Sequence, residues 1–179
     1  MKINRKFFGL IILALALIGL SALSFKNENS STPISNQNEF MVTKVVDGDT
    51  IEISHFGRIE KVRLIGIDTP ETLDPRKPVQ CFGKEASQNT KSLLEGKKVR
   101  IETDPNVGER DKYNRLLGYV WIGQNRLINQ ELISQGFAHE YTYRSQHYKY
   151  QSEFKNAEIH AKQESLGFWS AQTCNGITK

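Results

Sequence analysis

The stretch from residue 40 to residue 71, FMVTKVVDGDTIEISHFGRIEKVRLIGIDTPE, decides the fold. Apolar side chains recur at alternate positions in three short runs: residues 41–46, residues 50–54 with Ile51 and Ile53 on one face, and residues 59–67 with Val62 and Leu64 on one face. Period two is the repeat of a pleated strand, whose successive side chains point to opposite faces, so each run has one face to bury. Asp47-Gly48 and Phe56-Gly57 separate the runs and are suited to tight turns. Three consecutive strands are therefore expected.

Outward from this stretch the pattern changes. A loop with Pro70, Pro75 and Pro78 leads into residues 82–94, where Phe82, Ala86, Asn89 or Thr90, and Leu93 recur at helical spacing before Gly96. Residues 98–102 alternate again, a polar loop fills residues 103–115, and residues 116–122 form a fifth strand. Two more helices are expected over residues 127–135, stopped by Gly136, and over residues 150–165, with Phe154, Ala157 and Ala161 on one face and Gly167 beyond. Three strands, a helix, two strands and two helices do not alternate as βαβ units would, which disfavours a doubly wound parallel sheet. The expected class is α+β: a five-stranded OB-fold β-barrel with three packed α-helices.

At the N-terminus Lys2, Arg5 and Lys6 precede an apolar run over residues 7–20, followed by Ser21, Ala22 and Ser24. This reads as a signal peptide over residues 1–24. An uncleaved anchor is the alternative, since residues 7–25 approach the roughly 20 residues that span a bilayer. Either reading puts the rest of the chain outside the cytoplasm, secreted or membrane-anchored. Residues 25–39, rich in Asn, Ser and Pro, have too little apolar surface to offset chain entropy and form a disordered linker. The folded domain is expected over residues 40–171, with a C-terminal tail over residues 172–179. A length of 179 residues suits one such domain.

The formal charge of +4 falls to +1 once the three basic residues of the signal are set aside. Net charge therefore identifies no partner, and only local clusters carry electrostatic meaning. Cys81 and Cys174 are the only cysteines. In an oxidising compartment they are expected to form one disulfide, with two buried thiols as the alternative. No Cys and His cluster has the spacing of a zinc site, and the four histidines are scattered. His139 and His147 flank two tyrosines without an evident partner, so no histidine base is expected.

Three sets of polar residues carry chemistry. Asp47-Gly48-Asp49-Thr50 sits at the first turn, Arg63 precedes Asp68-Thr69-Pro70-Glu71 at the end of the third strand, and Asp111-Lys112-Tyr113-Asn114-Arg115 ends the long loop. Each alone is ordinary turn chemistry; together they compose a reaction site. Asp49 and Asp68 offer hard oxygen ligands for calcium or magnesium, with a backbone carbonyl near Thr69 as a further ligand. Arg63 and Arg115 can each give paired hydrogen bonds to phosphate oxygens, which suits a phosphorus whose charge grows in the transition state. Glu71 remains as the group to orient or deprotonate water.

On these residues the chain resembles the staphylococcal nuclease (thermonuclease) family. The resemblance rests on residues 46–51, 62–71, 111–115 and 166–170, and covers nearly all of residues 40–170. It implies an OB barrel with three helices and a calcium-dependent endonuclease acting on DNA and RNA and leaving 3′-phosphate ends. It implies Ca2+ on Asp49, Asp68 and the Thr69 carbonyl, with Arg63, Glu71 and Arg115 as the catalytic groups. Lys112 and Tyr113 match residues that contact a terminal phosphate of the bound nucleotide, and Tyr141 and Tyr143 resemble the tyrosines of its pocket. Asn114 replaces a glycine, but Asn tolerates a left-handed turn. Gly66 replaces a bulkier apolar residue, which bears on packing, and the cysteines have no counterpart. Arg76, Lys77 and Lys84 are candidates for added phosphate contacts. The rival reading is a non-catalytic OB barrel that binds single strands; no protein partner is implied, and a monomer is expected.

Overall fold

The alternating residues of the opening stretch form three antiparallel strands, β1 (Glu39–Asp47), β2 (Thr50–His55) and β3 (Arg58–Leu64). This is a computed structural model that describes residues 39–55, 57–72 and 78–178. The signal and nearly all of the linker read from the sequence lie outside those residues, as do Arg76 and Lys77. The chain divides into two units, Met1–Ser35, outside the described residues, and Asn36–Lys179, to which all the described residues belong.

The expected third strand over residues 59–67 is broken. Gly66 takes a positive φ of 76° and turns the chain after Leu64, so Ile67–Asp68 becomes a separate two-residue strand, β4. A Cβ on Gly66 would lie 2.7 Å from the Tyr148 ring and 2.9 Å from Phe154. Only glycine meets both the dihedral and the contact at that point. Its apolar neighbours Ile65 and Ile67 continue the strand-like pattern and conceal the turn in the sequence.

Strands β5 (Lys98–Glu102) and β6 (Leu116–Ile122) match the expected bounds. β1 pairs with β2 and β5, β5 pairs with β6, and β6 runs parallel to β3, with Val62 opposite Leu116 and Arg63 opposite Leu117. That last pairing closes the five strands into the expected barrel. The two-residue strand β7 (Arg126–Leu127) extends it beside β6, and β8 (His139–Glu140) pairs antiparallel with β4 in a separate two-stranded sheet. Irregularities on either side of residues 43 and 46 bend β1 so that it serves two neighbours.

Three helices complete the α+β fold: α1 (Gly83–Leu94), α2 (Ile128–Ser134) and α3 (Gln151–Gln163). α1 starts one residue later than its apolar spacing suggests, because Phe82 takes a left-handed φ of 67° and packs its ring near Phe137 and Phe168. Inside the barrel Val42, Ile51, Ile53, Val62, Leu64 and Val120 are fully buried. Leu132 of α2 and Phe154 of α3 close the core from outside. Asn129, itself fully buried, bridges helix and barrel: its Oδ1 accepts the Val120 amide at 2.8 Å, and its Nδ2 donates to the Ile65 carbonyl at 2.9 Å. Buried amides left without such partners would cost roughly 1–3 kcal/mol each.

After α3 the chain turns back at Gly167, whose backbone packs directly on that of Gly136; a Cβ on either residue would lie about 2 Å from the other segment. Cys81 and Cys174 form the expected disulfide across a separation of 93 residues. Replacing both by serine is expected to lower unfolding stability by about 2–4 kcal/mol, read as a lower urea midpoint.

α3 is also tied to β8 through Glu158, which accepts from the Glu140 amide at 3.2 Å and the Lys162 ammonium at 2.7 Å and faces His139 Nδ1 at 3.4 Å. Burial pushes the Glu158 carboxyl up, but His139, Lys162 and the Glu140 amide outweigh it and hold it at about 2, against an ordinary 4.5. A lowered folded value means stabilisation that is complete above pH 4.5 and lost as pH falls toward 2. Glu158→Gln should therefore lower stability at neutral pH and flatten the acid limb of a urea-midpoint profile over that window.

Candidate active site

The turn between β1 and β2 places Asp49 against the end of β3. Gly48 lies so close to Thr69 that a Cβ there would meet the Thr69 hydroxyl oxygen at 2.6 Å, and α1 holds the turn through Thr90 Oγ1, which donates to the Gly48 carbonyl at 2.8 Å. Asp49 is buried, accepting from the Thr50 hydroxyl at 2.9 Å and the Thr69 amide at 3.3 Å. Its outward oxygen lies 3.0 Å from Arg63 Nη2.

Arg63 is the joint of the site. Nη1 donates to the carbonyls of Leu64 and Ile67, both at 2.8 Å, clamping the turn around Gly66. Nη2 faces Asp49 and Asp68 at 3.0 and 3.1 Å. Two carboxylates from separate turns thus converge on one nitrogen. Among the described residues no three His, Cys, Asp or Glu side chains gather as a metal cluster, so a cation here would draw on Asp49, Asp68 and non-acidic oxygens. The Thr69 hydroxyl beside them is buried without a hydrogen-bond partner.

Arg115 stands immediately before β6, the strand paired with β3. Its Nε and Nη2 bind Asp111 Oδ2 at 2.7 and 2.6 Å, and Nη1 reaches Thr50 Oγ1 at 3.4 Å. Asp111 also accepts the amides of Tyr113 and Arg115, closing a tight loop in which Asn114 adopts φ 62°, the left-handed turn that Asn tolerates. Burial pushes the Asp111 carboxyl up, but the Arg115 amide and guanidinium and the Tyr113 amide outweigh it and hold it below its ordinary value. Asp111 therefore stays ionised and keeps Arg115 aimed. The Tyr113 ring, exposed, lies between Lys112 and Arg115, with Nζ at 4.9 Å and Cζ at 5.4 Å from its centroid.

Glu71 is positioned by a residue that the sequence reading passed over. Gln80 Oε1 accepts the Glu71 amide at 2.8 Å, and the Gln80 amide donates to the Glu71 carbonyl at 3.0 Å. Beside it, Asp47 accepts from the Thr72 hydroxyl at 2.7 Å. Burial, ahead of the like charges of Asp49 and Glu71, raises the Asp47 carboxyl despite the Thr72 and Gly48 hydrogen bonds that lower it.

These groups line one open cleft of about 1240 Å³: Asp49, Arg63, Asp68, Thr69, Glu71 and Arg115 all face it. A second hollow of about 490 Å³ adjoins it, sharing Arg63, Asp68, Tyr113, Arg115 and Tyr141, and adding Lys112 and Tyr143. Tyr141 and Tyr143 lie with ring centroids 6.4 Å apart, and the Tyr141 amide donates to the Gly66 carbonyl, which ties this segment to the turn that Arg63 clamps. The candidate catalytic, metal and nucleotide-binding residues thus line these two adjoining hollows. Lys84 does not; it is exposed on α1 and absent from both hollows. His139, expected to lack a partner, faces Glu158 and lines the cleft. Lys61 and residues 176–178 also line it and carry no local signal in the sequence that marks them for it.

Comparison with known proteins agrees with this geometry. A model of the staphylococcal nuclease homologue family matches residues 61–171. The thermonuclease of Staphylococcus hyicus is 42% identical over 167 residues, 90% of this chain and 96% of that protein. The thermonuclease of Staphylococcus intermedius is 39% identical over 165 residues, 90% and 95% of the two chains. Endonuclease YncB of Bacillus subtilis (strain 168) is 33% identical over 147 residues, 80% and 69% of the two. With the barrel closed as the sequence leads one to expect and the matching motifs on a single groove, this chain belongs to the staphylococcal nuclease family.

Proposed function

We infer that this chain is an endonuclease that hydrolyses phosphodiester bonds of DNA and RNA with Arg63, Glu71 and Arg115, assisted by calcium. The observation that carries the reading is the convergence of two guanidinium groups, two carboxylates and Glu71 on one open cleft. Arg63 on β3 and Arg115 just before the neighbouring strand β6 line the same cleft, and their donors suit the oxygens of a phosphorus on which charge develops. Arg63 is held by carbonyls and carboxylates and Arg115 by Asp111 and Thr50, which fixes where their guanidinium groups sit; a phosphate would take over donors that now face those carboxylates. Glu71, fixed through its backbone by Gln80, is the group to orient water and take its proton.

The residues present fit a hard cation. Asp49 and Asp68 supply carboxylate oxygens turned toward one point, the Thr69 carbonyl is the third proposed ligand, and the neighbouring Thr69 hydroxyl is a buried oxygen without a partner. When bound, calcium would polarise the phosphoryl oxygen and neutralise developing charge. Lys112 and Tyr113 are assigned to a terminal phosphate, and Tyr141 and Tyr143 to the face of a base, since ring faces accept any base. Cleavage is proposed to leave 3′-phosphate ends. The Cys81–Cys174 bond supports export to an oxidising compartment by the N-terminal signal.

Glu71→Ala is expected to lower kcat by about 10²–10⁴-fold, and Arg63→Ala by about 10²–10³-fold, with circular dichroism unchanged. Single-stranded binding with no cleavage by the parent protein would instead favour the non-catalytic barrel. Cleavage should stop in chelator and return with added calcium; undiminished cleavage in chelator would sink the metal assignment.

A further inference from the structure

The chain beyond the last helix is built into the wall of the cleft. Cys174 is bonded to Cys81; the Asn175 amide donates to the Ser170 carbonyl at 2.9 Å, the Gly176 amide to Phe168 at 2.8 Å and the Ile177 amide to Cys174 at 2.9 Å. The Thr178 carbonyl accepts the Cys81 amide at 3.2 Å. Gly176, at φ 75°, lies flat against Trp169, where a Cβ would come within 2.8 Å of the ring. Residues 174–178 therefore form a fixed loop, hung between the segment that carries Gln80 and the turn after α3.

Within that loop Cys174 and Thr178 are buried, whereas Ile177 between them is 66% exposed. An aliphatic side chain is held in water by anchored neighbours, at the rim of a cleft that Gly176, Ile177 and Thr178 line together with Glu71 and Gln80. None of the three lines the second hollow, where Lys112 and Tyr143 lie. The loop thus borders the first cleft beside Glu71 and Gln80 and not the second hollow, which adds Lys112 and Tyr143.

A polynucleotide continues past its reacting phosphate in both directions. If one flanking nucleotide occupies the second hollow with Lys112 and Tyr143, its neighbour across the phosphate is left with the first cleft, which the loop borders. We propose that Ile177, presented by the disulfide-anchored loop, forms the subsite for that second nucleotide and packs against the carbon surface of its sugar or base. The proposal rests on reading the cleft as that of a nuclease. The contact is apolar, so its contribution does not depend on counterion release as phosphate contacts do.

The test uses the disulfide-bonded protein and two substrates. One is a single-stranded DNA oligonucleotide; the other is a mononucleoside methyl phosphodiester, which carries a nucleotide on one side of the phosphate only. Ile177→Asp should raise KM for the oligonucleotide about fivefold to tenfold with kcat unchanged, and leave the kinetics on the methyl ester unaltered. Ile177→Ala should show a smaller rise on the oligonucleotide alone, and Ile177→Val should stay close to the parent. The slope of log KM against log salt should match the parent in the Ala and Val variants, which change no charge. Equal losses on both substrates would make the loop a support for Glu71 and overturn the subsite, as would unchanged kinetics on both. A parent protein that cleaves neither substrate would overturn the nuclease reading itself.

Discussion

The parallel pairing of β3 with β6 is the constraint on which the rest of the molecule depends. It closes the barrel, and its register determines what meets at the barrel's end. Arg63 lies opposite Leu117 on one side and opposite Thr50 on the other. Asp49 then falls level with Leu64, whose amide donates to its carbonyl, and faces the Arg63 guanidinium, while Arg115, just before β6, reaches Thr50 Oγ1 with its side chain. A slip of one residue in either ladder would turn Arg63 to the other face of the sheet, away from both. The buried strand faces on either side of the closure, Ile51, Val62 and Val120 among them, penalise such a slip by exposing the core.

From that closure the order of the site follows in steps. Arg63 clamps the turn at Gly66; the turn carries Asp68 and Thr69; Asp49 accepts from Thr69 and faces Arg63. The same turn receives Tyr141, so the aromatic segment is set by the arginine that faces the acids. Asn129 fastens the far side, joining α2 to the barrel next to the Gly66 turn. A disturbance at any of these points would reach the others through hydrogen bonds to main chain, which leave little freedom for local adjustment.

Much of this was legible from the residues. The five long strands announce themselves by alternation, and the helices by spacing and by glycines at their ends. The polar sets at Asp49, Asp68 to Glu71 and Asp111 to Arg115 are local in sequence, so their chemistry can be read before their positions are known. What cannot be read is set by contacts between distant segments. Two-residue strands such as β4, β7 and β8 are too short to show a period. The turn at Gly66 is masked by isoleucines on both sides, and the left-handed Phe82 has a residue type that gives no warning. Gln80 acts through an uncharged amide on a backbone, and the chain after Trp169 gains its place from a disulfide and from carbonyls, neither of which leaves a pattern along the sequence.

The covalent bridge has a consequence of another kind. Cys81 and Cys174 stand 93 positions apart, and the chain between them includes α1, β5, β6, α2 and α3 and the exposed loop around Lys112. A single cut by a protease anywhere within that ring leaves both fragments joined, and the pieces remain held by the barrel's hydrogen bonds. The bridge thus turns a nick in this exposed loop from a loss of half the molecule into a local injury.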